Sequence, residues 1–197
     1  IRGVVRRQVS SEPVTQDMRT DRHLDARSAP GLLECLSRPA GGHTVPLRYD
    51  VAEVGGNEDR LRLLVERLGA LEDGSAIVYA RSRDSCERVA RTLRGHGLRL
   101  EHYHAGLEAG ERSRVQEDFV SGRIRGVVAT TAFGMGIDKP DVRLVCLFNY
   151  PDSLESYVQM VGRGGRDGAP SATLLLASPS DATAVRRFAV GDIPEPD

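Results

Sequence analysis

From Val45 onward, apolar and polar positions alternate between two periods. SAIVYA (75–80), GVVAT (126–130), VRLVCLFN (142–149) and SATLLLA (171–177) are short, almost continuously apolar runs, the signature of strands covered on both faces. LRYDVAEV (47–54) and LRLEHYH (98–104) alternate with period two, as strands with one wetter face do. Between them lie stretches with a 3.6-residue period. NEDRLRLLVERLGAL (57–71) predicts a helix burying Leu61, Leu64, Val65 and Leu68. RDSCERVARTLRG (83–95) predicts one burying Val89, Ala90 and Leu93, started by Ser82 or Asp84. EAGERSRVQEDFVSG (108–122) predicts one using Val115, Phe119 and Val120. A fourth helix begins near residue 153. Asp152 is its expected cap, Glu155 closes the capping box, and Leu154, Tyr157 and Val161 form its inner face. A last helix is expected over Asp181–Val190. Continuous apolar strands alternating with helices mean βαβ units. The expected fold class is therefore α/β, a three-layer parallel sheet with helices on both faces, spanning residues 46–197. Residues 1–45 hold no period for long. They read as a linker with a short helix near Gly31–Leu36.

Composition narrows the picture only slightly. The 197 residues are 40% hydrophobic and 28% charged, with a net charge of −1, so no overall basic field announces nucleic acid and any such contact must be local. Lys and Arg total 27, yet Lys139 is the only lysine; this bias reads as base composition rather than a nucleic-acid signal. Cys35, Cys86 and Cys146 are scattered with no C-x-x-C pair, which argues against a structural zinc site and for free thiols in a reducing, cytoplasmic setting. No apolar run reaches membrane-spanning length, so no membrane partner is expected.

In a parallel sheet, function gathers where strands end at their carboxyl side. Here those ends run into residues 80–83, 104–107, 130–139 and 149–151, and the turn after the 153–161 helix joins them as the place to seek chemistry. SLESYVQMVGRGGRDG (153–168) sets Arg163 and Arg166 on a glycine-lined turn. Guanidinium forks on closely approachable backbone suit a multiply charged phosphate. VVATTAFGMGIDKPDVR (127–143) follows a buried strand with a bend containing Gly134 and Gly136. Thr130 and Thr131 offer hydroxyl and backbone donors to a phosphate, and Asp138 an acceptor suited to a ribose.

These two strings closely resemble motifs VI and V of superfamily 2 helicases, in the form used by RecQ-type DNA helicases. IVYARSRDSCERVA (77–90) resembles motif IV, and YHAGL (103–107) a short family motif that approaches the DNA backbone. The resemblance covers roughly residues 47–190 and implies the C-terminal RecA-like lobe of an ATP-dependent 3′→5′ DNA helicase. It implies that Arg166 is the arginine finger and Arg163 its partner at the ATP phosphates. Gln159 would couple the nucleotide and DNA sites, with Gly136 and Asp138 beside the nucleotide. Ser82, Arg83, His104, Thr130 and Thr131 would lie toward the translocated strand. Three positions depart from the family pattern: Met160 where an acidic residue is usual, Gly164 for Ala, and Arg81 for a small polar residue.

A P-loop requires G-K-[ST], and the sole lysine is followed by Pro140; no Asp is followed by Glu, so the Asp-Glu pair of motif II is missing as well. The arginines are therefore expected to complete a site for ATP with Mg²⁺ held mainly by an N-terminal RecA-like lobe, of which residues 1–45 are a remnant or the linker. The chain alone is expected to be inactive. Single-stranded DNA and that lobe are the expected partners. The competing readings are a DEAD-box-like RNA helicase lobe, disfavoured by Gln159–Met160 and by the 133–138 stretch, and a non-catalytic module that binds nucleic acid or a protein.

Overall fold

A computed structural model describes residues 47–134, 137–179 and 181. The expected linker (1–45), Gly136 and all but the first residue of the expected last helix lie outside the described residues.

Six strands form one sheet: β1 (Leu47–Glu53), β2 (Ser75–Tyr79), β3 (Leu100–Tyr103), β4 (Gly126–Ala129), β5 (Val142–Leu147) and β6 (Ser171–Ala177), in the order β1-β6-β5-β2-β4-β3 with every pairing parallel. The helices are α1 (Asn57–Gly69), α2 (Arg83–Gly95), α3 (Ala109–Val120) and α4 (Leu154–Val161). The continuously apolar strands β2 and β4 are buried at every position, whereas β1 at the sheet edge is only partly covered. Alternate strand residues feed two cores. On one face, Val78, Val128, Cys146 and Leu176 meet Leu64 and Leu68 of α1 and Val89, Ala90 and Leu93 of α2. On the other, Ile77, Val127, Val145 and Leu147 meet Val115 and Phe119 of α3 and Met160 and Val161 of α4. This is the expected three-layer arrangement.

Four details differ from the sequence reading. The cap of α4 is Ser153, whose Oγ accepts from the Ser156 amide at 3.0 Å, rather than Asp152. Leu154 then stands at 60% exposure, so the inner face of α4 runs through the half-buried Tyr157, Met160 and Val161. Val120, the last residue of α3, is likewise exposed, and in α1 Leu63 takes the buried position expected of Leu61. Cys86 and Cys146 are buried free thiols, as expected, and burial pushes the Cys86 thiol up to about 12.

The described residues of the β4-to-β5 connection, 130–134 and 137–141, contain no helix. These strands flank β2, and residues 130–141 must cross it unaided. They do so by burying their own side chains against the sheet: Phe133 at 1% exposure and Ile137 at 6%. The Phe133 ring stands edge-on to Tyr103 at 4.7 Å and to Phe119 at 5.6 Å. Lys139 is also buried, its Nζ donating to the Val120 carbonyl at 3.3 Å, pairing with Asp141 at 3.0 Å and lying over the Phe119 ring. A cation at the carboxyl end of α3 is favoured by the helix dipole.

A buried ion pair, not foreseen from the sequence, joins α1 to Asp181. Arg60 Nη2 and Asp181 Oδ2 lie 2.6 Å apart with both side chains almost wholly covered. Asn57 accepts from Arg60, while Asn149 Nδ2 and the Tyr150 amide donate to Asp181.

Phe133→Ala is expected to cost about 3–5 kcal/mol of unfolding free energy, against less than about 0.5 kcal/mol for the exposed Leu154→Ala, both read from urea denaturation of the chain. Asp181→Ala, which strands Arg60 as a buried unpaired charge, should cost about 3–5 kcal/mol in the same measurement.

Candidate nucleotide and nucleic-acid interface

The turn after α4 does not sit at the carboxyl ends of the strands. Helix α4 runs back along the sheet face, and the turn docks on the opposite, amino end of β5. The Gly165 amide donates to the Val142 carbonyl at 2.9 Å and the Asp167 amide to the Pro140 carbonyl at 3.3 Å. Arg143 grips Asp167 with both Nη atoms, and this bidentate bond holds the Asp167 carboxyl below its usual range. Gly164 lies so close to β6 that a Cβ there would stand 2.5 Å from Ser171 Oγ, itself donating to the Val142 carbonyl. The departure from Ala at this position is therefore matched to the packing of this chain.

Held this way, both arginines reach the 130–141 crossover. Arg163 lies over Gly134, where a Cβ would stand 2.3 Å from its Nε and where φ is +123°, a backbone conformation that side chains rarely adopt. Arg166 Nη1 donates to the Ile137 carbonyl at 3.3 Å and approaches the exposed Asp138 at 3.5 Å. Between them, at the end of β2, the Tyr79 hydroxyl donates to the Phe133 carbonyl. Burial raises the Tyr79 pKa, and Arg163 and then Arg166 partly offset the rise, so both guanidinium groups act on this one phenol. Arg163 has no acidic partner among the described residues, and Arg166 has only Asp138. Two guanidinium groups with little carboxylate to neutralise them, on glycine-opened backbone, fit an anionic ligand such as a polyphosphate. Gln159 is exposed, and its described hydrogen bond runs to Glu155 on its own helix rather than to either arginine. Met160 is buried in the core at 7% exposure, which is why an apolar residue suits that position.

A second group does gather at the carboxyl ends of the strands. Ser82 caps α2, accepting from the Ser85 amide at 3.2 Å. Arg83 lies against Gly106, where a Cβ would stand 2.9 Å from its Nη1, so the ends of β2 and β3 are joined. The Thr130 amide donates to the Tyr103 carbonyl at 3.3 Å, joining β4 to them. Ser82, Arg83 and Thr131 are exposed and Thr130 half-buried. His104 is not exposed: at 4% accessibility its ring turns inward and Nε2 meets Glu87 at 3.2 Å. Arg81, the third departure, ties β2 to the end of β5: its amide donates to Asn149 Oδ1, Nη2 to the Tyr150 carbonyl, and Nη1 approaches Asp181 at 3.7 Å. The cleft between these ends, lined by Thr131, Tyr150 and Met160 among others, is about 40 Å³, too small for a nucleotide. Tyr79, Arg143 and Gly106 carry the geometry yet drew no notice as site residues in the sequence. The one available signal was the single polar-tipped aromatic, Tyr79, closing an otherwise apolar strand.

The parallel three-layer sheet and the arginine turn can be set beside known proteins. Residues 59–168 match the model of the helicase conserved C-terminal domain. The putative ATP-dependent DNA helicase Q1 of Caenorhabditis elegans is 41% identical over 155 residues, which is 77% of this chain and 24% of that protein. The ATP-dependent DNA helicase RecQ of Haemophilus influenzae is 39% identical over 160 residues, 81% of this chain and 24% of that protein. The chain thus spans about a quarter of the length of these relatives. Among solved structures, the Escherichia coli DEAD-box protein SrmB superposes with a TM-score of 0.63 at 28% identity, over 77% of this chain and 86% of that one. Saccharomyces cerevisiae Dbp5 superposes with a TM-score of 0.62 at 22% identity, over 78% of this chain and 41% of that one, and speaks for the fold alone. The chain belongs to the helicase conserved C-terminal domain family and, within it, is a RecA-like lobe of RecQ type. Among the described residues, no helix is long and apolar enough to cross a membrane.

Gly134→Ala is expected to push the Arg163 guanidinium off the crossover and to destabilise the fold by about 1–3 kcal/mol. The Nε–H resonance of Arg163 in an arginine-edited NMR spectrum would report the displacement, and the urea midpoint the cost.

Proposed function

We propose that this chain is the second motor lobe of an ATP-dependent 3′→5′ DNA helicase, supplying the arginine finger to ATP with Mg²⁺ held mainly by an N-terminal RecA-like lobe. The observation that carries the reading is that Arg163 and Arg166 both rest on the crossover that begins, at Thr130 and Thr131, among the strand ends carrying Ser82 and Arg83. One segment thereby touches both the phosphate-suited arginines and the face suited to a nucleic-acid backbone. The names of the RecQ relatives support DNA and ATP as ligands.

When bound, ATP would supply the phosphoryl group whose transfer builds negative charge. Arg166, exposed on its turn, would meet that charge, and Arg163, steadied by Tyr79 and Gly134, would hold the neighbouring phosphate oxygens. Asp138, beside Arg166 and solvent-facing, offers acceptors to the sugar. The chain's only lysine, Lys139, is committed to Val120 and Asp141 and does not serve the phosphates. Closing on ATP and reopening after hydrolysis would carry the Ser82, Arg83 and Thr130–Thr131 face along single-stranded DNA. His104 enters this reading as an inward-turned support for the strand end, and Gln159 as an exposed residue free to meet the other lobe. Backbone contacts dominate such a grip, so little sequence preference is expected.

In the chain joined to a P-loop lobe, Arg166→Ala is expected to lower single-stranded-DNA-stimulated ATP hydrolysis by about 10³-fold or more while leaving the urea midpoint within experimental scatter. Undiminished DNA-stimulated turnover in the variant would remove the finger assignment. Stronger stimulation by RNA than by DNA in the unaltered protein would favour the DEAD-box-like reading, and no turnover with either would favour a non-catalytic lobe.

A further inference from the structure

Outside the arginine turn, the described residues hold one group of three metal-ligating side chains. His102 and His104 stand two residues apart at the end of edge strand β3, facing α2, and Glu87 comes from the first turns of that helix. One ring nitrogen from each histidine and one Glu87 oxygen lie within 4.8 Å of one another. His104 Nε2 and Glu87 Oε1 are 3.2 Å apart, and the two rings are 5.6 Å between centroids. Tetrahedral zinc with bonds of about 2.0–2.1 Å sets its ligand atoms about 3.3 Å apart, so the His104–Glu87 spacing already matches one edge of the tetrahedron and His102 has to close in from within 4.8 Å to complete a face.

The hydrogen-bond pattern points the same way. The bond to Glu87 satisfies only one nitrogen of His104. Its Nδ1 is sealed from solvent with no partner on a side chain that is 5% exposed, and His102 Nδ1 is sealed and unpartnered too. Buried polar atoms are ordinarily paired, so a sealed, unpartnered nitrogen on each of two neighbouring imidazoles marks this corner as more polar than its protein partners satisfy. Two imidazoles and one carboxylate are a borderline donor set, suited to Zn²⁺ and its first-row neighbours rather than to Mg²⁺ or Ca²⁺. Glu87 remains 44% exposed on its side chain, which leaves a route for entry and room for a water as fourth ligand.

We propose that Glu87, His102 and His104 form a binding site for a divalent transition-metal ion of the zinc class, clasping α2 to the end of β3. The site is independent of the nucleotide reading, because none of its ligands touches the arginine turn. Its place beside Ser82 and Arg83 gives it a structural consequence: the metal would fix the start of α2 against the strand end on which Arg83 leans.

The test uses the 197-residue chain without a histidine tag. Equilibrium dialysis against Zn²⁺ with metal quantification should give one tightly bound ion, and Co²⁺ in its place should develop visible absorption of tetrahedral character. His102→Ala and Glu87→Gln should each weaken binding by about tenfold or more, whereas His96→Ala, outside the site, should not. Zn²⁺ should raise the melting temperature of the unaltered chain and not that of His102→Ala; melting in chelator verifies that each variant folds. Absence of stoichiometric binding, or equal affinity in His102→Ala and Glu87→Gln, would overturn the proposal. Should His102→Ala fail to fold, Glu87→Gln at its half-exposed helical position decides alone.

Discussion

The structure depends on how the chain crosses from β4 to β5. Two parallel strands on either side of β2 must be joined, and the usual solution is a helix whose apolar stripe covers the sheet. Residues 130–141 instead cover it with single side chains, Phe133 and Ile137, fixed by the Tyr103–Phe133–Phe119 ring stack and closed by Lys139. An irregular segment has backbone groups to spare, and these are what the site uses. The carbonyls of Phe133 and Ile137 receive Tyr79 and Arg166, and the absent side chain of Gly134 leaves the space Arg163 occupies. A helix there would have spent those groups on itself.

Two kinds of attachment keep the arginine turn on that crossover. Backbone bonds to Val142 and Pro140 fix its height on β5, and the Arg143–Asp167 fork fixes its orientation. The buried Arg60–Asp181 pair does a parallel job at the other end of α4, where Asn149 and Tyr150 lead into the helix. Each end of the short α4 is thus held by a guanidinium–carboxylate contact to a different part of the fold. Such pairs add little net stability against an apolar replacement, but they fix geometry because removing one partner is costly.

The sheet was legible in the sequence because its signals are local. Runs such as SAIVYA and VRLVCLFN are too short and too rich in β-branched residues to favour a buried helix, and the spacing of Val89, Ala90 and Leu93 admits one helical face. The arginines were legible as a pair for the same reason. What failed to show was whatever depends on distant segments meeting. Nothing near Arg60 foretells Asp181, and nothing near Arg143 foretells Asp167. The expected place of the arginine turn, with the strand carboxyl ends, was wrong because α4 runs back along the sheet, and period alone gives a helix no direction in space. His104 was misjudged as outward-facing because its partner, Glu87, is seventeen residues away on another element. The α4 cap was read one residue early, since Asp152 and Ser153 are equally able caps and only the backbone decides between them.

Lys139 has one consequence beyond the fold. It is the only primary amine on a side chain in this sequence, and it is spent inside the lobe, on a helix carbonyl and a neighbouring carboxylate. All permanent positive charge on the described surface is consequently guanidinium. Acetyl, methyl or ubiquitin transfer to lysine, common means of retuning the charge of a nucleic-acid-facing surface, finds no accessible acceptor there. Lysine-directed chemistry therefore leaves the charge of the described surface unchanged, and a change there has to act on other side chains.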